Sequence, residues 1–139
     1  MTERDLAIRV DYDLAASPDK VWRALTASDL LEQWLFPNDF APREGHVFTF
    51  RTTPAPGFDG LIRGEVLEAD PPRRLVYTWK SGPADTVVSW DLTTVSSELT
   101  RTSLTQSGFA TEDRWLRDML EGGWRERSGG RLKELVASL

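Results

Sequence analysis

The sequence predicts an α+β fold: a curved antiparallel sheet of six strands wrapped around a long C-terminal helix, with two short helices between the first and second strands. Three observations carry this expectation. Apolar and polar residues alternate in six separate runs, the mark of antiparallel strands with one wet face. The period becomes helical twice, briefly after the first run and at length from Thr111 onward. Only that last segment, about 40 Å long if its roughly 27 residues are continuous at about 1.5 Å each, can cover the apolar face of the sheet.

The elements follow in order. In "DLAIRVDYDL", Leu6, Ile8, Val10, Tyr12 and Leu14 share one side and Arg9, Asp11 and Asp13 the other. "SPDKVWRALT" is a helix with Ser17 as N-cap and Pro18 in the first turn, where a missing N–H costs nothing. Thr26 and Asp29 are spaced as a capping box, so a second helix is expected from Ser28 to Trp34, with Pro37 ending it. "HVFTFR" is a strand with Phe48 and Phe50 on one face, followed by a turn in "TPAPG". "GLIRGEVLEAD" is a strand whose glycines at 60 and 64 mark a bulge, a bend or a close backbone approach. After the Asp70-Pro71-Pro72 turn, "RLVYTWK" aligns Leu75, Tyr77 and Trp79. A hairpin loop in "SGPAD" leads to "TVVSWDLTTV", which aligns Val88, Trp90 and Leu92. A tight turn at Ser96-Ser97 leads to "ELTRTSLTQ", which aligns Thr102, Leu104 and Gln106.

The tail reads as one helix from Thr111. Trp115/Met119 and Leu116/Leu120/Trp124 are i,i+4 partners, and Leu132, Leu135, Val136 and Leu139 continue the spacing. Gly122-Gly123 and Gly129-Gly130 interrupt it. Each glycine costs about 1 kcal/mol against alanine in a helix interior, so the helix either kinks there or lies close against something.

Composition narrows the function. A chain of 139 residues suits a single domain, 1–139. There is no cysteine, which removes disulfides, thiolate catalysis and thiolate metal sites, and His46 is the sole histidine, so no metal and no cofactor is expected. The net charge of −5, without a basic run, argues against nucleic acid. No apolar segment approaches the roughly 20 residues of a membrane span. The charged start "MTERDLAIRV" lacks a signal-peptide core, so a cytoplasmic location is expected.

Signs of catalysis are sparse. His46 opens a strand beside Gly45 with no acidic partner at a helical or hairpin offset. "RSGGR" and "GFDG" contain glycines, but no GK[ST] follows, so neither is a phosphate loop. In the run Glu65, Glu68, Asp70, only Glu68 has a claim to face inward. An enzyme would have to draw on Tyr77, Glu68, Gln106 and His46 as acid, base or oxyanion contacts.

The strings "ASPDKVWRALTASDLLEQWLFP", "GEVLEADPPRRLVYTWK", "TVVSWDL" and "LTQSGF", then a helix carrying "GGW", run in this order over essentially the whole chain. As a set they resemble the START-like (SRPBCC) helix-grip superfamily. Within it, the chain looks like the bacterial relatives of the C-terminal domain of the activator of the heat-shock-protein-90 ATPase. The resemblance implies a deep, largely apolar cavity between the concave sheet and the long helix, of the kind that holds lipids, polyketides and hormones, with no fixed catalytic residue. Thr102 stands where relatives usually carry a larger apolar residue, Gln106 where many carry histidine, and "RERSGGR" replaces a smoother final helix.

The aligned aromatic faces either pack on one another or line that cavity. Thr102 and Gln106 are odd choices for a closed core, because a buried hydroxyl or amide without a partner costs roughly 1–3 kcal/mol. Tyr77 and Trp79 each pair an apolar body with a polar tip. Glycines at 60, 64, 122 and 123 remove side chains between sheet and helix. The candidate ligand-cavity set is therefore Trp34, Phe48, Phe50, Tyr77, Trp79, Trp90, Thr102, Leu104, Gln106, Trp115 and Met119, with Trp115 and Met119 standing opposite the sheet. The expected function is binding of a small hydrophobic or aromatic molecule. The alternatives are a co-chaperone-like protein contact and a cyclase- or hydrolase-like enzyme in the same cavity.

Overall fold

The computed structural model describes residues 6–56 and 58–139. The charged start at 1–5 and Gly57, which ends the expected "TPAPG" turn, lie outside the described residues. The strands are β1 (Ile8–Leu14), β2 (Val47–Arg51), β3 (Leu61–Asp70), β4 (Arg74–Ser81), β5 (Ala84–Ser96) and β6 (Leu99–Ser107). The helices are α1 (Pro18–Thr26), α2 (Ser28–Trp34), α3 (Arg114–Gly122) and α4 (Ser128–Ser138). The sheet is antiparallel in the order β1-β6-β5-β4-β3-β2, so chain neighbours pair everywhere except at the β1–β6 junction. No described helix is long and apolar enough to cross a membrane.

The alternation predicts the inward face correctly. In β1 every second residue from Ile8 to Leu14 is buried and the residues between are exposed. Ser17 caps α1 by accepting from the Lys20 N–H at 3.4 Å, with Pro18 at the helix start. The second helix has the expected bounds but not the expected cap. Thr26 Oγ1 donates instead to the Trp22 carbonyl at 2.7 Å, and α2 begins from Ala27 with no side-chain cap. Thr26 is the buried last residue of α1, so its hydroxyl takes the carbonyl four residues back rather than the next helix's N–H.

Gly64 marks a close approach, not a vacancy. A Cβ there would overlap the Thr78 carbonyl oxygen and the Phe48 ring, which folds over its cross-strand partner. A register shift follows between Val66 and Glu68.

The tail is helical from a 3₁₀ turn at Thr111–Asp113 through α3, a π turn at Gly123–Arg127, and α4. The π turn has a visible cause. The Tyr12 hydroxyl on β1 donates to the Trp124 carbonyl at 2.5 Å, inside the turn, where a bond from outside the helix favours a local departure from α geometry. Gly129 makes this approach feasible. A Cβ at 129 would overlap the Trp124 carbonyl oxygen and stand 2.9 Å from Tyr12 Cε1. Of the two outcomes the glycines allowed, close apposition holds at Gly129, while Gly122 and Gly130 face open space.

Candidate functional site

Between the sheet and the C-terminal helices lie a sealed interior and an open cleft. In the interior, aromatic rings form a continuous chain. Tyr12 stacks on Trp90 at 6.1 Å, Trp34 meets Trp90 edge-on at 6.0 Å, and Trp124 sits 5.7 Å from Trp90 and 5.4 Å from Trp79. Phe50 lies 5.6 Å from Trp79, and Phe48 lies 4.9 Å from Phe50 and 5.3 Å from Tyr77. Edge-on and tilted pairs dominate, as ring quadrupoles favour.

The polar groups of this interior are almost all matched. The Trp90 Nε1–H donates to the Tyr77 hydroxyl at 3.0 Å. The Trp124 Nε1–H donates to Gln106 Oε1 at 2.9 Å, Gln106 Nε2 donates to Thr86 Oγ1 at 2.9 Å, and Thr86 Oγ1 donates to the Trp79 carbonyl at 2.8 Å. This relay ties the π turn to β6, β5 and β4. Gln106 is wholly buried, so each amide group must find a partner or cost free energy. Burial pushes both phenols, Tyr12 and Tyr77, above the usual tyrosine range.

The cleft opens where α3 and the π turn pass over the ends of β2, β3 and β4. Its volume is about 910 Å³. Ile62, Trp79 and Ser81 form its sheet wall; Leu116, Leu120 and Trp124 form its helix wall. Phe36 and Phe58 border it from the loops, and Arg51, Arg127 and Arg131 supply its charge. Two exposed apolar side chains on α3, Trp115 at 61 % and Met119 at 57 %, stand at its edge. Among buried side-chain polar atoms of the described residues, two lack a partner: Thr102 Oγ1, in the sealed interior, and Trp79 Nε1, on a residue of the cleft wall.

The expected cavity residues divide accordingly. Trp79, Trp115 and Met119 line the cleft. Trp34, Phe48, Phe50, Tyr77, Trp90, Thr102, Leu104 and Gln106 are buried in the interior and do not line it. Trp115 and Met119 do not stand inward opposite the sheet as expected. The inward row of α3 is that of Leu116, and Trp124 on the π turn reaches the interior, because the stripe one position further along faces the core.

The candidates for acid–base work are dispersed. Glu68 is half-exposed and sits 3.3 Å from Arg74 Nε. His46 places Nε2 2.8 Å from the Asp39 carbonyl and Nδ1 3.2 Å from the Arg43 guanidinium, which suits a neutral ring protonated at Nε2. Tyr77 and Gln106 are held by the interior bonds above, and none of the four lines the cleft. No group of three or more potential metal-ligating side chains occurs among the described residues.

Sequence reasoning missed Trp124, Phe58, Arg51, Arg127 and Arg131 as cleft residues. Trp124 carried a signal, since it continues the Leu116/Leu120 stripe that packs inward. The arginines carried none, because charge in a loop or on a helix reads as ordinary solvated surface.

Several solved structures share this architecture. Protein MLL2253 from Mesorhizobium loti is 32% identical, with a TM-score of 0.83 over 95% of this chain and 97% of that one. DynU16, a putative protein in the dynemicin biosynthetic locus, is 24% identical with a TM-score of 0.77, over 95% of this chain and 47% of that one. PFC0360w, an HSP90 activator from Plasmodium falciparum, is 16% identical with a TM-score of 0.78, over 94% and 96%. The last two likenesses establish the fold alone. No curated protein matches the chain. The family model "Activator of Hsp90 ATPase homolog 1-like protein" matches residues 15–137, from the end of β1 to the last turn of α4, and the chain belongs to that family.

Proposed function

We propose that the protein binds a small hydrophobic molecule with a flat aromatic portion, in the cleft between α3 and the ends of β2–β4. The observation that carries this reading is the wall residue Trp79. Its indole N–H is buried without a partner, and the residue itself borders a space of about 910 Å³. A native interior rarely leaves a buried donor unmatched, and a ligand acceptor would match it. The volume lies within the range of roughly 300–1,000 Å³ typical of small-molecule sites, and the wall mixes aromatic and aliphatic side chains with few polar groups. The family's fold is compatible with such binding. Among the described residues no arrangement of nucleophile, base and orienting group lines the cleft, and the reading favoured here is holding the molecule rather than transforming it.

The six tryptophans provide the test. Trp79, Trp115 and Trp124 line the cleft; Trp22, Trp34 and Trp90 do not. Neutral aromatic and acyl compounds should shift the indole N–H resonances of the first three and spare the others. A broad library that moves none of the first three, or moves all six alike, would sink the reading.

A second reading, contact with an HSP90-type chaperone, has its own motivation in the family description and in the exposed pair Trp115 and Met119. Co-purification of the protein with the chaperone, lost on replacing both residues with serine, is the expected result. An interaction that is absent, or indifferent to that replacement, removes this reading.

A further inference from the structure

The charge of the cleft differs from that of the molecule. The chain has 22 acidic and 17 basic residues, yet no aspartate or glutamate is among the described residues lining the cleft, while three arginines are: Arg51, Arg127 and Arg131. Elsewhere, Arg63, Arg73, Arg74, Arg101, Arg117 and Arg125 are each ion-paired to a carboxylate, while Arg9, Arg23 and Arg43 are in no ion pair with a described residue. No ion pair or side-chain hydrogen bond joins Arg51, Arg127 or Arg131 to another described residue.

The placement reinforces the composition. Arg127 ends the π turn, and Arg131 follows it four residues later on α4, so the two occupy one helix face. The Arg127 guanidinium lies along the helix over Gly123, with a terminal nitrogen 3.4 Å from where a Cβ of residue 123 would stand. Gly123 also lines the cleft, and a Cβ there would stand in ordinary contact with this guanidinium. Arg51 approaches from the end of β2. An anion entering here would meet forked guanidinium donors, with no carboxylate among the described cleft-wall residues to compete for them.

We infer that the cleft selects amphipathic anions: molecules with a flat apolar body against Trp79, Trp124, Trp115 and Met119 and a carboxylate or similar anionic oxygen headgroup at the arginines. This rests on the ligand-binding reading above and adds the charge class of the ligand. Repulsion from the acidic remainder of the surface would leave the cleft as the favoured place for such an anion.

The test uses three probes with one body and three headgroups: 2-naphthoate, 2-naphthylmethanol and 2-naphthylmethylammonium. Each is titrated into the full chain while the indole resonances of Trp79, Trp115 and Trp124 are followed. Naphthoate should bind about tenfold more tightly than the alcohol, with the ammonium weakest, and the preference should shrink as salt rises. In the double variant Arg127→Ala/Arg131→Ala, naphthoate and alcohol affinities should converge. All three side chains are exposed, so the fold is not at stake. Equal binding of naphthoate and alcohol to the unaltered protein overturns anion selection and leaves the apolar site standing. So does a preference that survives Arg51→Ala/Arg127→Ala/Arg131→Ala. If no probe moves the three cleft indoles, the binding reading falls and this inference falls with it.

Discussion

The sealed interior around Trp90 and the cleft beside Trp79 are built from the same materials and end differently. Both have tryptophan walls, both involve the π turn through Trp124, and both contain a buried polar atom without a partner. In the interior, Tyr12, Trp34, Trp90 and Trp124 close on one another, and Gln106 and Tyr77 answer the indole N–H groups. At the cleft, α3 turns its Leu116 row inward and leaves Trp115 and Met119 at the edge, and Nε1 of the wall residue Trp79 has no partner. Aromatic content therefore does not distinguish a core from a pocket. The distinction is whether the facing layer supplies enough volume, and the right polar atoms, to complete the wall.

The strongest way to break the comparison is Trp124→Ala, since this one side chain belongs to both regions. It removes a buried indole and strands Gln106, at an expected cost of about 3–5 kcal/mol, read by denaturant unfolding. A loss below about 1 kcal/mol would mean that the two regions do not share this wall. Next comes Gly129→Ala. Its Cβ would press on the Trp124 carbonyl and the Tyr12 ring, so the expected loss is about 1–3 kcal/mol. Gly130→Ala, in open space, should be neutral or favourable, and equal effects at the two glycines would refute the close approach.

Alkaline pH sharpens the same contrast. Tyr12 and Tyr77 are the two tyrosines, and burial holds both pKa values above their unfolded value of about 10. A phenol whose folded pKa is raised keeps its proton longer in the folded state. Its stabilising contribution is complete below about pH 10 and declines as pH rises from there through the folded pKa. Unfolding free energy should thus fall above about pH 10, and phenolate absorbance should appear together with unfolding instead of preceding it. Ordinary titration of either tyrosine in the intact fold would contradict its burial.

The smallest expected effect lies at the other unmatched atom. Thr102→Val removes a buried hydroxyl without a partner and should stabilise the protein by up to about 1 kcal/mol, measured by thermal or denaturant unfolding. A loss of similar size would show that the hydroxyl has a partner after all.

The sheet, its inward face and the bounds of α2 were legible because alternation and helical spacing are local properties. The cap of α2 was less so: Thr26 and Asp29 have the spacing of a capping box, yet the hydroxyl of a helix-terminal threonine prefers a carbonyl of its own helix. The polar residues Thr102 and Gln106 were expected to line the cavity, yet both are buried in the interior away from the cleft, and their partners were not foreseeable. Gln106 is matched by Trp124 and Thr86, 18 and 20 residues away in the chain, and Thr102 by nothing.

The sequence by itself determined the α+β class, the order of elements and which side of each strand is apolar, since these follow from the periodicity of each segment taken alone. The tertiary structure decided which aromatics fill space and which border it, why the last helix carries a π turn, and where three arginines converge. Those outcomes depend on how far the helical layer stands from the sheet, and on a contact between Tyr12 and Trp124, 112 residues apart, that no local pattern records.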